Sequence, residues 1–201
     1  NRSVPFYNPV ALAELSTNKS ESFRALNNVF AEVKILENLT FRTSLGVDFI
    51  TTKQKSYIPS SVRFAATVGG TAQLGQVQSF SWLNENTLNY EFLKGDHSLN
   101  LLAGYTAQSL RTEGFGVSDQ GFISDILAEN NIGTGNRTPA LQRPSTSAWG
   151  LLSYLARANY SYKDLYLLTA TARYDGSSRF GKNNKWGFFP SMAFAWKLRS
   201  E

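Results

Sequence analysis

From Leu39 the chain alternates. Leu39, Phe41, Thr43, Leu45, Val47 and Phe49 share one parity, and Thr40, Arg42, Ser44, Gly46 and Asp48 share the other. Period two sends successive side chains to opposite faces and predicts a strand. The same rhythm predicts strands at Val29–Ile35, from His97 to Gln108, from Leu152 to Tyr160 and from Leu165 to Asp175. Weaker ones are expected over Phe80–Leu93 and Trp186–Leu198. About seven strands result, most of roughly 10–14 residues, against about 5–6 for a strand in a soluble domain. A tilted strand that crosses a bilayer needs about 9–11.

The links alternate as well. Glu37-Asn38, Lys94-Gly95-Asp96 and Lys163-Asp164 read as tight turns. Residues 50–79 and 110–146 read as long loops, and Gly176–Lys185 as an intermediate one. In an antiparallel meander all the tight turns then fall at one end, as in outer-membrane barrels. Phe92, Tyr160, Tyr162, Tyr166 and Trp196 collect near the tight turns. Phe49, Tyr105 and Tyr174 are expected near the long loops. Tyr166 and Tyr174 bracket one strand's apolar face at roughly 20 Å along the membrane normal, close to the apolar band of about 25 Å. Residues 1–20, with Pro5 and Pro9, read as extended or looped. Phe122, Ile123, Ile126 and Leu127 have helical spacing, which Gly133 would end.

Composition narrows the chemistry. Aromatics are 13% and charged residues 17% of the 201 positions, rich and poor respectively for a soluble domain. A mean hydropathy of −0.27 fits a barrel whose strands each turn one face to water. The net charge of +5 is scattered rather than clustered, so no nucleic-acid partner is expected. Without cysteine there is no disulfide or thiolate metal site. The single histidine, His97, reads as a turn residue and supplies neither a zinc set nor a triad. Glu85 and Glu91 lie about 20 Å apart on one strand, too far for a glycosidase pair. No cofactor, metal or catalytic residue is expected. In Asp175-Gly176-Ser177-Ser178 one carboxylate is too few for calcium. That stretch reads as an Asp-Gly turn, with Gly176 and Gly181 letting the chain reverse.

The stretch YLLTATARYDGSSRFG, followed by Phe189-Pro190-Ser191, Trp196 and Glu201, resembles the TonB-linked outer-membrane proteins of the SusC/RagA type. Residues 8–15, 39–49, 82–90 and 97–108 look like barrel segments of the same family. The resemblance implies an all-β, antiparallel up-and-down transmembrane barrel of 22 strands, plugged by an N-terminal domain and driven by TonB. It also implies a SusD-like surface lipoprotein as partner and oligosaccharides or peptides as substrates. Residues 1–201 are then a partial barrel domain in the outer membrane, without signal peptide, TonB box, plug or closing strand.

On this reading the apolar faces meet lipid, with Tyr105, Tyr160, Tyr166, Tyr174 and Trp196 as girdle residues. Arg42, Asp48, Asn100, Gln108, Arg157 and Asn159 face the lumen. Arg173, Asp175, Gly176, Ser177, Ser178, Arg179, Phe180, Gly181, Phe189, Pro190 and Ser191 form a structural signature hairpin at the outer mouth, where contact with substrate stays open. The rival readings are a soluble β-rich carbohydrate-binding module and a passive porin.

Overall fold

The computed structural model describes residues 9–126, 130–136, 140–181 and 183–198. They form a seven-stranded sheet in which each strand lies beside its neighbours in sequence. The strands are β1 (Thr17–Leu36), β2 (Leu39–Ile58), β3 (Thr71–Lys94), β4 (His97–Gln120), β5 (Ala140–Tyr162), β6 (Tyr166–Ser177) and β7 (Trp186–Trp196). The arrangement is the expected antiparallel, up-and-down one. Short links (37–38, 95–96, 163–165) alternate with longer ones (59–70, 121–139, 178–185). The tightest part of the β5–β6 turn, Lys163-Asp164, holds both residues at positive φ (53° and 54°). Such a left-handed pair matches the right-handed twist of the flanking strands.

β1 to β5 are longer than the alternation predicts, whereas β6 and β7 have the expected length. β1 and β2 have 20 residues each, β3 and β4 24 each, and β5 23, while β6 and β7 have 12 and 11. The cause is visible along β2 and β4. The parity that carries Leu45, Val47 and Phe49 continues as Thr51, Lys53 and Lys55, and that of Ala103, Tyr105 and Ala107 continues as Ser109, Arg111 and Glu113. The backbone ladder runs on with polar residues at both parities, where hydrophobic periodicity is silent. The expected loops 50–79 and 110–146 therefore shrink, and Phe49 and Tyr105 sit well inside strands rather than at loop ends.

Two further expectations change. Of residues 1–20, Pro9–Leu15 form a short helix, α1, with Pro9 at its first position, and β1 begins at Thr17. Residues 1–8, including Pro5 and Asn8, and Leu127 and Glu201 lie outside the described residues. The helical spacing after Phe122 forms no helix in the described part. Phe122 bridges to Gly135 and donates its N–H to the Gly69 carbonyl, and the chain turns at Asp125-Ile126. A 3-10 turn covers Ile132–Thr134 and includes Gly133.

The chain divides into two compact units. The first comprises the described parts of Asn1–Arg24, Phe49–Ser79 and Thr112–Ser147. It has a small interior of Tyr57, Val62, Ala65, Ala72 and Phe122, reinforced by α2 (Arg63–Ala66). The second comprises Ala25–Asp48, Phe80–Arg111 and the described parts of Ala148–Glu201. It has almost no interior: Val33, Leu101, Leu168, Met192 and Phe194 are all exposed. A soluble sheet buries one face; here the apolar face is open.

Candidate functional site

Register decides which side chains share a face. Across β5, β6 and β7, Tyr154, Ala156, Ala158, Tyr160 and Tyr162 stand opposite Tyr174, Ala172, Ala170, Leu168 and Tyr166. These in turn oppose Phe188, Pro190, Met192, Phe194 and Trp196. The other face carries Arg157, Asn159, Thr169, Thr171, Arg173, Asp175, Phe189 and Ser191. Side-chain contacts extend the division across β1 to β4. Asn100 donates to Asn89 (2.9 Å), and Arg42 pairs with Glu32 (4.0 Å) while lying over the Phe30 ring. Asp48, by its parity on β2, and Gln108, by its parity on β4, follow the polar face. Arg157 donates to Thr171 (3.2 Å), Thr169 to Asn159 (2.9 Å) and Arg173 to Asp175 (3.3 Å).

The aromatics of the apolar face fall into two rows of touching rings. One row runs from His97 through Tyr162 (4.9 Å between centroids) and Tyr166 (6.5 Å) to Trp196 (6.1 Å). His97 Nδ1 lies 2.6 Å from Tyr160 Oη, so this turn residue is tied into the row. The other row links Tyr105 to Tyr154 (5.4 Å), Tyr154 to Trp186 (6.2 Å) and Trp186 to Tyr174 (4.8 Å). Between them lies an apolar groove of about 850 Å³ floored by Ala103, Ala156, Ala158, Ala170 and Ala172. Sequence reasoning missed Trp186, whose parity cannot be read across the polar link before it. It also missed a polar chain on the apolar parity. Thr43 donates to Asn86, Asn86 to Asn84, and Asn84 to the Ser44 carbonyl (2.8, 2.6 and 2.9 Å).

The signature hairpin is a clasp. Ser178 N–H donates to the Gly150 carbonyl (2.9 Å) and Gly150 N–H donates to Ser178 Oγ (2.8 Å), joining the hairpin to β5. Ser177 Oγ accepts Arg179 N–H, and the Arg179 guanidinium lies over Trp149 (5.2 Å). Gly176 and Gly181 do not have positive φ, so the expected Asp-Gly turn is absent. Gly176 is a strand residue opposite Trp186, and its missing side chain seats that ring. Gly187 likewise leaves room for the Phe189 ring on the polar face. Phe180 is exposed at the tip.

In the first unit a latch ties loop 121–136 to the end of β2. Tyr57 donates to Asp125 Oδ1 (2.5 Å), and Ser60 donates to Asp125 through N–H (3.2 Å) and Oγ (2.9 Å). Phe122 meets the Tyr57 ring edge-on at 5.5 Å. Gly69, Gly70 and Gly121, all at positive φ, let the two loops bond backbone to backbone. Burial, then the Asp125 bond, pushes the Tyr57 hydroxyl above its ordinary 10.0. The Tyr57 bond holds Asp125 below its ordinary 3.8. Asp125, being depressed, contributes stability that is full above 3.8 and lost as pH falls through its folded value. Tyr57, being raised, contributes stability that is full below 10.0 and lost at higher pH. The protection factors of the 121–126 amides, which divide out the intrinsic pH dependence of exchange, are therefore expected to be highest between about pH 4 and 10 and lower outside that window. Tyr57→Phe should lose the window's alkaline edge.

No family model matches the chain. TonB-dependent receptor P3 of Formosa agariphila is 36% identical over 198 residues, 96% of this chain and 19% of that protein. TonB-dependent receptor SusC of Bacteroides thetaiotaomicron is 30% identical over 198 residues, again 96% and 19%. Among solved structures, the RagAB peptide transporter superposes with a TM-score of 0.81 at 27% identity, over 90% of this chain and 20% of that one. The chain thus spans about a fifth of the length of the curated relatives it matches. Sequence over almost its whole length, and fold over nine-tenths of it, match a stretch of the SusC/RagA type of TonB-dependent receptor.

Proposed function

We propose that residues 1–201 form part of the wall of an outer-membrane importer that takes up oligosaccharides or peptides. TonB would drive the parent protein, and a SusD-like lipoprotein would deliver substrate to it. The observation that carries this reading is the apolar face. It is open, it is bounded by two aromatic rows, and its parity turns charged at Lys53, Lys55, Arg111 and Glu113. Lipid matches such a band, and aromatic rings favour its two interfaces. Tyr105, Tyr160, Tyr166, Tyr174 and Trp196 then act as girdle residues. Arg42, Asp48, Asn100, Gln108, Arg157 and Asn159 line the lumen, and the signature hairpin closes the outer mouth.

A water-filled porin is less well supported. Its lumenal face would be polar throughout, whereas the polar parity here also carries exposed Phe30, Leu36, Leu93 and Phe189. Apolar side chains on that face suit a lumen filled by protein. A soluble carbohydrate-binding sheet would have to cover the face that holds Met192 and Phe194, and nothing in the described residues does so.

The test is the full-length parent in its own cell. It should pellet with the outer membrane and require detergent for release. Uptake of its substrate should stop when TonB is deleted. Release by salt alone would overturn the membrane reading, and uptake that persists without TonB would favour a porin.

A further inference from the structure

A polar groove of about 350 Å³ lies within the first unit, lined by Asn18, Gln54, Ser56, Gln73 and Gly75 together with Lys55 and Leu74. Asn18 is on β1, Gln54 and Ser56 are on β2, and Gln73 and Gly75 are on β3. The Ser22–Thr52 contact (3.1 Å) fixes even β1 residues against even β2 residues. The Thr43–Asn86 and Ser44–Glu85 contacts fix even β2 residues against odd β3 residues. Asn18, Gln54, Ser56, Gln73 and Gly75 therefore share the parity of Arg42, Ser44 and Glu85, that of the polar face. Lys55 and Leu74 sit on the alternate parity, so their side chains leave from the other face.

Three carboxamides and a hydroxyl thus stand side by side around Gly75, where an added Cβ would meet nothing nearer than a carbonyl oxygen at 3.7 Å. Each carboxamide offers two donors and an acceptor. None of the three makes a side-chain hydrogen bond to another described residue. The lining has no ring on which a sugar could stack and no charged side chain on this parity. An uncharged ligand with alternating donors and acceptors at short intervals matches it, and an extended peptide main chain has that pattern.

We propose that Asn18, Gln54, Ser56 and Gln73 form a subsite that holds the main chain of a transported peptide, largely without regard to its side chains. This rests on the importer reading above. The test uses the full-length parent in detergent and isothermal titration with two probes, an N-acetylated, C-amidated Gly-Ser decapeptide and maltoheptaose. The unmodified protein should bind the decapeptide. The double variant Gln54→Ala/Gln73→Ala should bind it about ten- to thirtyfold more weakly, as expected for two lost hydrogen bonds. Gln78→Ala, on the opposite parity of β3, should leave the affinity unchanged. Both variants should run as the heat-modifiable folded species, which separates binding from misfolding. An unchanged affinity in the double variant, or a parent that binds neither probe, overturns the subsite. Binding of maltoheptaose alone, lost in the double variant, overturns the peptide assignment. Each of these results leaves membrane extraction and TonB dependence untouched, so the importer reading stands or falls separately.

Discussion

Ala170→Arg is expected to remove the folded, heat-modifiable form of the full-length parent from the outer membrane, whereas Thr169→Arg, one residue earlier, should leave it in place. Ala170 stands midway between Tyr166 and Tyr174 on β6, opposite Ala158 on β5 and Met192 on β7. If that face meets lipid, the position is near the middle of the hydrocarbon band. An arginine there costs about 2–4 kcal/mol, a factor of roughly 30 to 1,000 in the folded population. Thr169 opposes Asn159 and Ala193 on the other face. Arginine there loses one part-buried hydrogen bond to Asn159 and keeps its charge in a polar setting. The comparison controls for helix or strand propensity, expression and added volume, because both changes bring the same side chain to adjacent positions of one strand. Equal loss in the two variants, or loss only at Thr169, would mean that the faces are assigned the wrong way round.

That contrast was legible in the sequence because it depends on parity alone. Tyr166, Leu168, Ala170, Ala172 and Tyr174 separate from Leu167, Thr169, Thr171, Arg173 and Asp175 without any knowledge of neighbouring strands. The tight turns were legible too, since Lys94-Gly95-Asp96 and Lys163-Asp164 interrupt two alternating runs. Strand ends were not. β2 continues through Thr51-Thr52-Lys53 and β4 through Arg111-Thr112-Glu113, where both faces are polar and hydrophobicity has no period to report. What continues there is main-chain pairing with a neighbouring strand, a non-local property.

Contacts between distant segments were hidden for the same reason. Tyr57 and Asp125 are 68 residues apart, and Phe122, read as the start of a helical pattern, is held instead against the Tyr57 ring. Likewise, Gly176 follows an aspartate and so reads as a turn, although its neighbour across the sheet, Trp186, sets its role. Glycine in a strand can mark close approach as well as a bend, and only the register chooses between them. The family resemblance identified the hairpin as a block but could not say what each residue in it does.

Gly176→Val should therefore destabilise the Trp186 end of the β6–β7 pair through the indole ring, not through the backbone. An ideal Cβ at position 176 would lie 2.7 Å from two ring atoms of Trp186. The ring cannot yield cheaply, because its other face is stacked 4.8 Å from Tyr174 and it also meets Tyr154. Overpacking of this kind costs about 1–3 kcal/mol. Displacing Trp186 would also strain the adjoining bond from Ser177 N–H to the Lys185 carbonyl (2.9 Å), next to the Ser178–Gly150 clasp. Removing the exposed Arg173–Asp175 pair by Asp175→Ala should cost well under that, about 0–1 kcal/mol. The deciding measurement is a double-mutant cycle on the refolded full-length parent, read from urea unfolding in detergent. With Trp186→Ala in the background, Gly176→Val should lose most of its cost, giving a coupling of about 1–2 kcal/mol. If valine is equally costly with and without the indole ring, Gly176 serves the backbone after all and the seat for Trp186 is incidental.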